Sequence, residues 1–113
     1  MNNKYLLINE TTENDITNYL PNQNTLCDIA DFFDVFSDTT RLKILSCLSM
    51  SDLCVNDLSK LLDTNQTTIS HQLKNLKAQN LIKANRNGKI ITYSLCNRFI
   101  NDIMMYAVES IKK

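Results

Sequence analysis

One glycine, Gly88, and one proline, Pro21, serve the whole 113-residue chain. Tight turns draw on these two residues more than on any others, and sheet-rich folds need many turns. The chain is therefore built mainly from helices, with one place where two strands can reverse sharply. Gly88 follows Asn87, and Asn-Gly is the strongest two-residue hairpin signal. A type I′ turn needs positive φ at both central positions, so the turn is expected at Asn87-Gly88. Leu81–Asn85 and Ile90–Leu95 flank it, and Ile91, Tyr93 and Leu95 alternate with Thr92 and Ser94 as in a half-buried strand. Arg86 and Lys89 make the tip basic.

The segment before the hairpin reads as two short helices. Val55–Leu62 places Val55, Leu58, Leu61 and Leu62 on one face. Asp63-Thr64-Asn65 is a three-residue break, with Asn65 the expected N-cap of a second helix, Gln66–Gln79. Ile69, Leu73 and Leu76 follow at i, i+4 and i+7. Two helices across so short a break make a helix-turn-helix at 55–79, and the hairpin at 81–95 then acts as its wing.

The remaining segments are helical too. Residues 5–20 carry Leu6, Leu7, Ile16, Tyr19 and Leu20, interrupted by the polar stretch NETTEND and ended by Pro21. Residues 25–37 show Leu26, Ile29, Ala30, Phe33 and Phe36 at helical spacing. Ser37 or Asp38 caps a third helix through Leu48, with Leu42, Ile44, Leu45 and Leu48 inward, before a polar link at Ser49–Asp52. Within 98–112, the run Phe99–Ile111 has an apolar stripe too wide for the surface helix of a small monomer. It fits a dimer interface packed with the N-terminal arm and helix of residues 1–24. The expected fold is mainly α with a small β-hairpin. It is a single winged helix-turn-helix domain over 1–113, with helical dimerisation elements at both termini.

A net charge of zero hides an asymmetry. Residues 1–40 carry one lysine against seven acids, whereas residues 41–93 carry eight Lys and Arg against three Asp. A basic middle inside a neutral chain suggests a local face for a polyanion. The apolar runs, such as Tyr5–Ile8, are far too short to span a bilayer, and MNNKYLLINE lacks the pattern of a signal peptide. The expected location is cytoplasmic, with no membrane partner and with the four cysteines as free thiols or ligands rather than disulfides. There is no glycine-rich phosphate loop and no constellation of catalytic His or paired carboxylates, so an enzyme is not expected.

A helix that reads DNA keeps one face apolar for docking and offers short polar side chains on the other. Here that face offers Gln66, Thr67, Thr68, Ser70, His71, Lys74 and Asn75. Short hydroxyls allow close approach to a major groove, Gln pairs bidentately with adenine, and Ser or Thr bonds a base or a phosphate. Lys74, Lys77, Arg86 and Lys89 would neutralise phosphates. The expected partner is double-stranded operator DNA. The competing class is a winged-helix protein-interaction module that does not bind DNA, which would have no need of Arg86 and Lys89 at the hairpin tip.

The stretch from Phe36 to Leu95 resembles the ArsR/SmtB family of winged-helix repressors. The resemblance is carried by SDTTRLKIL, LCVNDLSKLL, NQTTISHQLKNLKAQNLI and RNGKIITYSL. It implies a homodimer on a partly palindromic operator, repressing nearby genes until a metal ion, a metalloid or a reactive sulfur or oxidant species binds. The family's DNA-contacting positions fall on Gln66, Thr67, Ser70 and His71, with Arg86 and Lys89 in the wing.

The family's metal sites fit poorly. One uses a cysteine pair in an ELCVCDL segment; here Cys54 stands at the first position and Asn56, a poor ligand for soft ions, at the second. That site also borrows upstream thiols, and residues 1–26 contain none. A second site would fall on Asn97, Phe99, Ser110 and Lys113, of which Phe99 cannot ligate. The only histidine, His71, lies on the recognition helix, where a metal would block DNA. The candidate sensor thiols are Cys54, Cys27 and Cys47. Cys54 sits at the expected N-cap of the first helix of the pair, where the helix terminus favours a thiolate. Cys27 opens the second helix, Cys47 fits core packing, and Cys96 ends the wing. The candidate cofactor is a thiolate-bound metal or metalloid acting as inducer, joining Cys54 to Cys27 or Cys47; a family member that has lost inducer sensing is the other outcome.

Overall fold

Side-chain caps, rather than glycine and proline, set the helix boundaries. In the computed structural model, which describes residues 7–112, the Asn9 side chain accepts the Thr12 N–H at 2.8 Å and starts helix α1 (Glu10–Tyr19). The Asn22 side chain does the same for Thr25 at 2.8 Å, starting α2 (Gln23–Asp34). Asp38 accepts from the Arg41 N–H at 2.9 Å and starts α3 (Thr39–Met50). Next come α4 (Val55–Leu62) and α5 (Gln66–Ala78), strands β1 (Ile82–Asn87) and β2 (Ile90–Leu95), and α6 (Phe99–Ile111). Each capped donor is one of the orphan N–H groups that every helix leaves in its first turn.

Both helices of the helix-turn-helix end without glycine. Asp63, at φ 49°, and Asn80, at φ 61°, adopt the left-handed conformation. Behind Asp63, the Thr64 N–H reaches back to the Ser59 carbonyl at 3.1 Å and the Asp63 N–H to that of Lys60 at 3.4 Å. Behind Asn80, the Leu81 N–H reaches the Leu76 carbonyl at 3.1 Å and the Asn80 N–H that of Lys77 at 2.9 Å. Both are Schellman motifs, and Asp and Asn are the non-glycine residues that tolerate them best.

The chain falls into two compact units, one up to Asp31 and one from Phe32 onward. In the second, Val35, Ile44, Leu45, Leu48, Leu58, Ile69, Leu73, Leu76, Leu81, Ile82 and Ile100 form one buried core. The hairpin is antiparallel, with Ile82 opposite Leu95 and Asn87 opposite Ile90. Leu53 joins it as a bridge, exchanging bonds with Tyr93 at 3.2 and 2.8 Å, so the segment before α4 is tied to the wing. In the first unit, α1 has no buried residue.

Several expectations need correction. The first helix begins at Glu10 because Asn9 caps it; the polar stretch lies at its start, and residues 1–6 lie outside the described residues. The second begins at Gln23 and gives way after Asp34 to a 3₁₀ turn, Val35–Ser37. Arg41 holds that turn, its guanidinium donating to the Val35 and Asp34 carbonyls at 3.0 and 3.2 Å. The third helix runs to Met50 rather than Leu48, and the link after it contains the Leu53 bridge. Leu61, expected inward, is 63% exposed, because Val55, Leu58 and Leu62 already fill the inner face of α4. The hairpin turn sits one residue later than expected. Since Asn87 pairs with Ile90, the central residues are Gly88 and Lys89, and only Gly88 has positive φ, at 67°. That sign pattern is type II′, with glycine first. A Cβ at Gly88 would meet nothing within 4 Å, so glycine is needed there for its backbone angle and not for space.

Candidate nucleic-acid interface

Helix α5 divides into two faces. Ile69, Leu73 and Leu76 are at most 1% exposed and dock the helix on the core. Gln66, Thr67, Thr68, Ser70, His71 and Lys74 are all exposed. Thr67, Ser70, His71 and Lys74 follow at i, i+3, i+4 and i+7, which makes one strip along the helix. The strip contains two hydroxyls, an imidazole and an ammonium, with no large apolar side chain among them. Asn75, expected on the same face, is half-buried instead.

The start of α5 is fixed from two sides. Asn65 accepts the Thr68 N–H at 2.8 Å, and Gln66 Nε2 donates to Asn56 Oδ1 on α4 at 3.0 Å. Across the turn between the helices, the Ser59 hydroxyl donates to the Thr64 carbonyl at 2.5 Å and the Thr64 hydroxyl to the Leu62 carbonyl at 3.0 Å. The angle between α4 and α5 is thus set by Leu58 and Ile69 in the core and by these bonds at the turn.

The wing grows from the end of α5. Leu81 and Ile82, both buried, anchor its first strand, and the Cys96 N–H donates to the Leu81 carbonyl at 2.9 Å. Beyond that base the hairpin projects: Arg86, Asn87, Gly88 and Lys89 are exposed. Arg86 Nη1 lies 3.5 Å from the Gly88 carbonyl and folds back over the turn. Lys89 is a central turn residue, so its ammonium stands at the tip.

Cys27 lies one turn into α2 rather than at its start, with Gln23 Nε2 donating to its Sγ at 3.6 Å. Cys47 is half-buried and packs on the core, as expected. Cys54 is half-buried at the N-cap of α4, and the Asp57 carboxylate accepts its N–H at 3.3 Å in a capping box. Cys96 is exposed. Among the described residues, no three His, Cys, Asp or Glu side chains gather into a group that could hold a metal ion. Beside Cys54, the position of the family pair's second thiol holds Asn56, whose amide is a poor ligand for a soft ion. Of the second family site, Asn97 is occupied in accepting the Phe99 N–H at 3.0 Å, Phe99 and Ser110 are exposed, and Lys113 lies outside the described residues.

Away from α5, a second exposed feature is apolar. A cleft of about 530 Å³ opens between the 3₁₀ turn, α3 and α6, lined by Phe36, Leu42, Ile103, Met104, Val108 and Ile111 among others. Phe99, Tyr106 and Ile111 on α6 are 70%, 72% and 84% exposed. None of the helices among the described residues is long and apolar enough to cross a membrane.

Sequence reasoning missed Asn56 and Leu53. Asn56 looked like a failed ligand, yet it touches the first residue of α5. The available signal was that both residues lie in the first turn of consecutive helices joined by a short break. Leu53 gave no signal, because a single bridge residue has no period.

The family model described as "Bacterial regulatory protein, arsR family" matches residues 38–84. The chain is 34% identical over 98 residues to a cadmium resistance transcriptional regulatory protein CadC homolog of Staphylococcus aureus, covering 86% of this chain and 80% of that one. It is 35% identical over 75 residues to a transcriptional repressor SmtB homolog of Synechocystis sp., covering 66% of this chain. It spans 57% of that relative's length, less than two thirds. Among solved structures, the AntR antimony-specific transcriptional repressor superposes with a TM-score of 0.74 at 26% identity, over 82% of this chain and 85% of that one.

Proposed function

The chain belongs to the ArsR family of bacterial regulatory proteins, and we propose that it is a homodimeric, sequence-specific repressor that binds operator DNA in the cytoplasm. The observation that carries this reading is the division of α5: three residues fully docked on the core, and opposite them an exposed polar strip. Such a helix enters a major groove with its hydroxyls and imidazole against base edges and phosphates. Lys74 and the wing cations Arg86 and Lys89 neutralise phosphate charge and set register. The second copy supplies the second recognition helix. It packs through the apolar cleft and exposed face of α6, and the two helices read half-sites about 34–36 Å apart. Repression then follows from occupying a promoter; the protein acts by binding, with no catalytic step.

The cadmium and antimony in the relatives' names belong to those proteins. In this chain Asn56 stands where the family's second thiol would be, so an inducer, if one is bound, would be held by a different set of donors. The test uses an operator selected from random-sequence DNA. Ser70→Ala with His71→Ala lowers operator affinity about tenfold or more, at about 1 kcal/mol per lost bond, and leaves the dimer intact by sedimentation. Unchanged affinity in the double variant sinks the assignment of α5.

A further inference from the structure

Asn56 is the second residue of α4 and Gln66 the first of α5. The helix-turn-helix brings them side by side, with Gln66 Nε2 donating to Asn56 Oδ1 at 3.0 Å. Both side chains are exposed, so the bond is not required by the core. It ties the docking helix to the reading helix at the end where a recognition helix meets base edges.

We propose that Asn56 is a positioning residue for base reading, holding the Gln66 amide in the orientation that selects adenine. This rests on the reading of α5 as the recognition helix. A glutamine amide carries two N–H donors and one carbonyl acceptor. One N–H is given to Asn56. The other N–H and the carbonyl remain, and that pair matches the N7 acceptor and N6 amino donor of adenine in the major groove. Guanine presents two acceptors there, which the carbonyl would face without a donor. With the Asn56 bond in place, the side chain enters the groove already ordered. Without it, the rotamers of a long, exposed glutamine must be frozen on binding, a loss worth about two- to tenfold in affinity for the preferred base.

The experiment compares the full-length wild type with Gln66→Ala, Asn56→Ala, Asn56→Asp and the double variant Asn56→Ala/Gln66→Ala. Each binds the selected operator and versions carrying every base pair at each position. The position whose preference is lost in Gln66→Ala is the one Gln66 reads. Asn56→Ala is expected to reduce adenine preference two- to tenfold at that position alone, with the dimer and non-specific DNA binding unchanged. Asn56→Asp keeps the accepting oxygen; it retains the preference and loses only overall affinity through its charge. Asn56→Ala adds nothing once Gln66 is alanine. The proposal is overturned if Asn56→Ala leaves the preference intact, if its effect persists without Gln66, or if Asn56→Asp loses the preference. A Gln66→Ala variant with unaltered base preference also removes it, by showing that Gln66 reads no base. The broader reading fails separately, when the wild type selects no DNA at all.

Discussion

The segment from Leu53 to Leu95 and the final helix α6 use apolar residues in opposite ways. In the first, Leu58, Ile69, Leu73, Leu76, Leu81 and Ile82 are all buried, and both helix ends are closed by Schellman motifs. In α6 only Ile100 is buried; Phe99, Met105, Tyr106, Val108 and Ile111 are exposed beside an apolar cleft. The first region is finished within one chain. The second leaves apolar surface uncovered, and in the function proposed above a second copy of the chain is the cover. The polar strip of α5 stays open on the completed region, as the proposed binding of DNA, a polyanion, requires.

Two substitutions test that contrast at its strongest points. Leu58→Ala removes a fully buried side chain from between α4 and α5. It should cost about 2–5 kcal/mol of stability, seen as a lower denaturation midpoint with operator binding lost in parallel. A loss much smaller than this would mean that the helix-turn-helix is not the rigid half. By contrast, Val108→Asp with Ile111→Asp alters residues exposed in the single chain. Burying two such side chains at an interface is worth about 3 kcal/mol or more, so the dimer dissociation constant should rise about 100-fold or more while the helical content of the chain is kept. Sedimentation over a concentration series reads this directly; unchanged self-association would move the interface away from α6.

The same contrast explains what was legible in the sequence. The boundaries of α4 and the start of α5 were readable because capping and periodicity agree: Asn65 caps, and Ile69, Leu73 and Leu76 repeat at i, i+4 and i+7. The exposed polar strip of α5 and the basic hairpin tip were readable for the same reason. The turn was displaced by one residue because Asn-Gly suits type I′, whereas the pairing of Asn87 with Ile90 makes Gly88 the first turn residue. Type I′ and type II′ differ in where glycine stands, and strand register decides between them. The starts of α1 and α2 were misplaced because asparagine caps were overlooked beside the louder signal of Pro21. For the Asn56–Gln66 bond the sequence offers only that both residues open consecutive helices; the bond itself depends on the angle between those helices.

The smallest effect lies in the two helix ends that do without glycine. Asp63 and Asn80 occupy the same left-handed position in the same motif, yet they are not equally suited to it. Asparagine is neutral and tolerates the conformation. Aspartate places a negative charge at the C-terminal end of α4, where the helix dipole is also negative, at a cost of about 0.3–1 kcal/mol. Asp63→Asn should therefore stabilise the chain by a similar few tenths to one kcal/mol in chemical denaturation. Asn80→Gly should be close to neutral, because relief of left-handed strain is offset by about 0.4–1 kcal/mol of added freedom in the unfolded chain. Asn80→Ala should cost about 1 kcal/mol, since alanine has the Cβ clash without a side chain to bond locally. If Asp63→Asn proves destabilising, the carboxylate of Asp63 is engaged in the turn, and the break between the two helices is held by more than its backbone bonds.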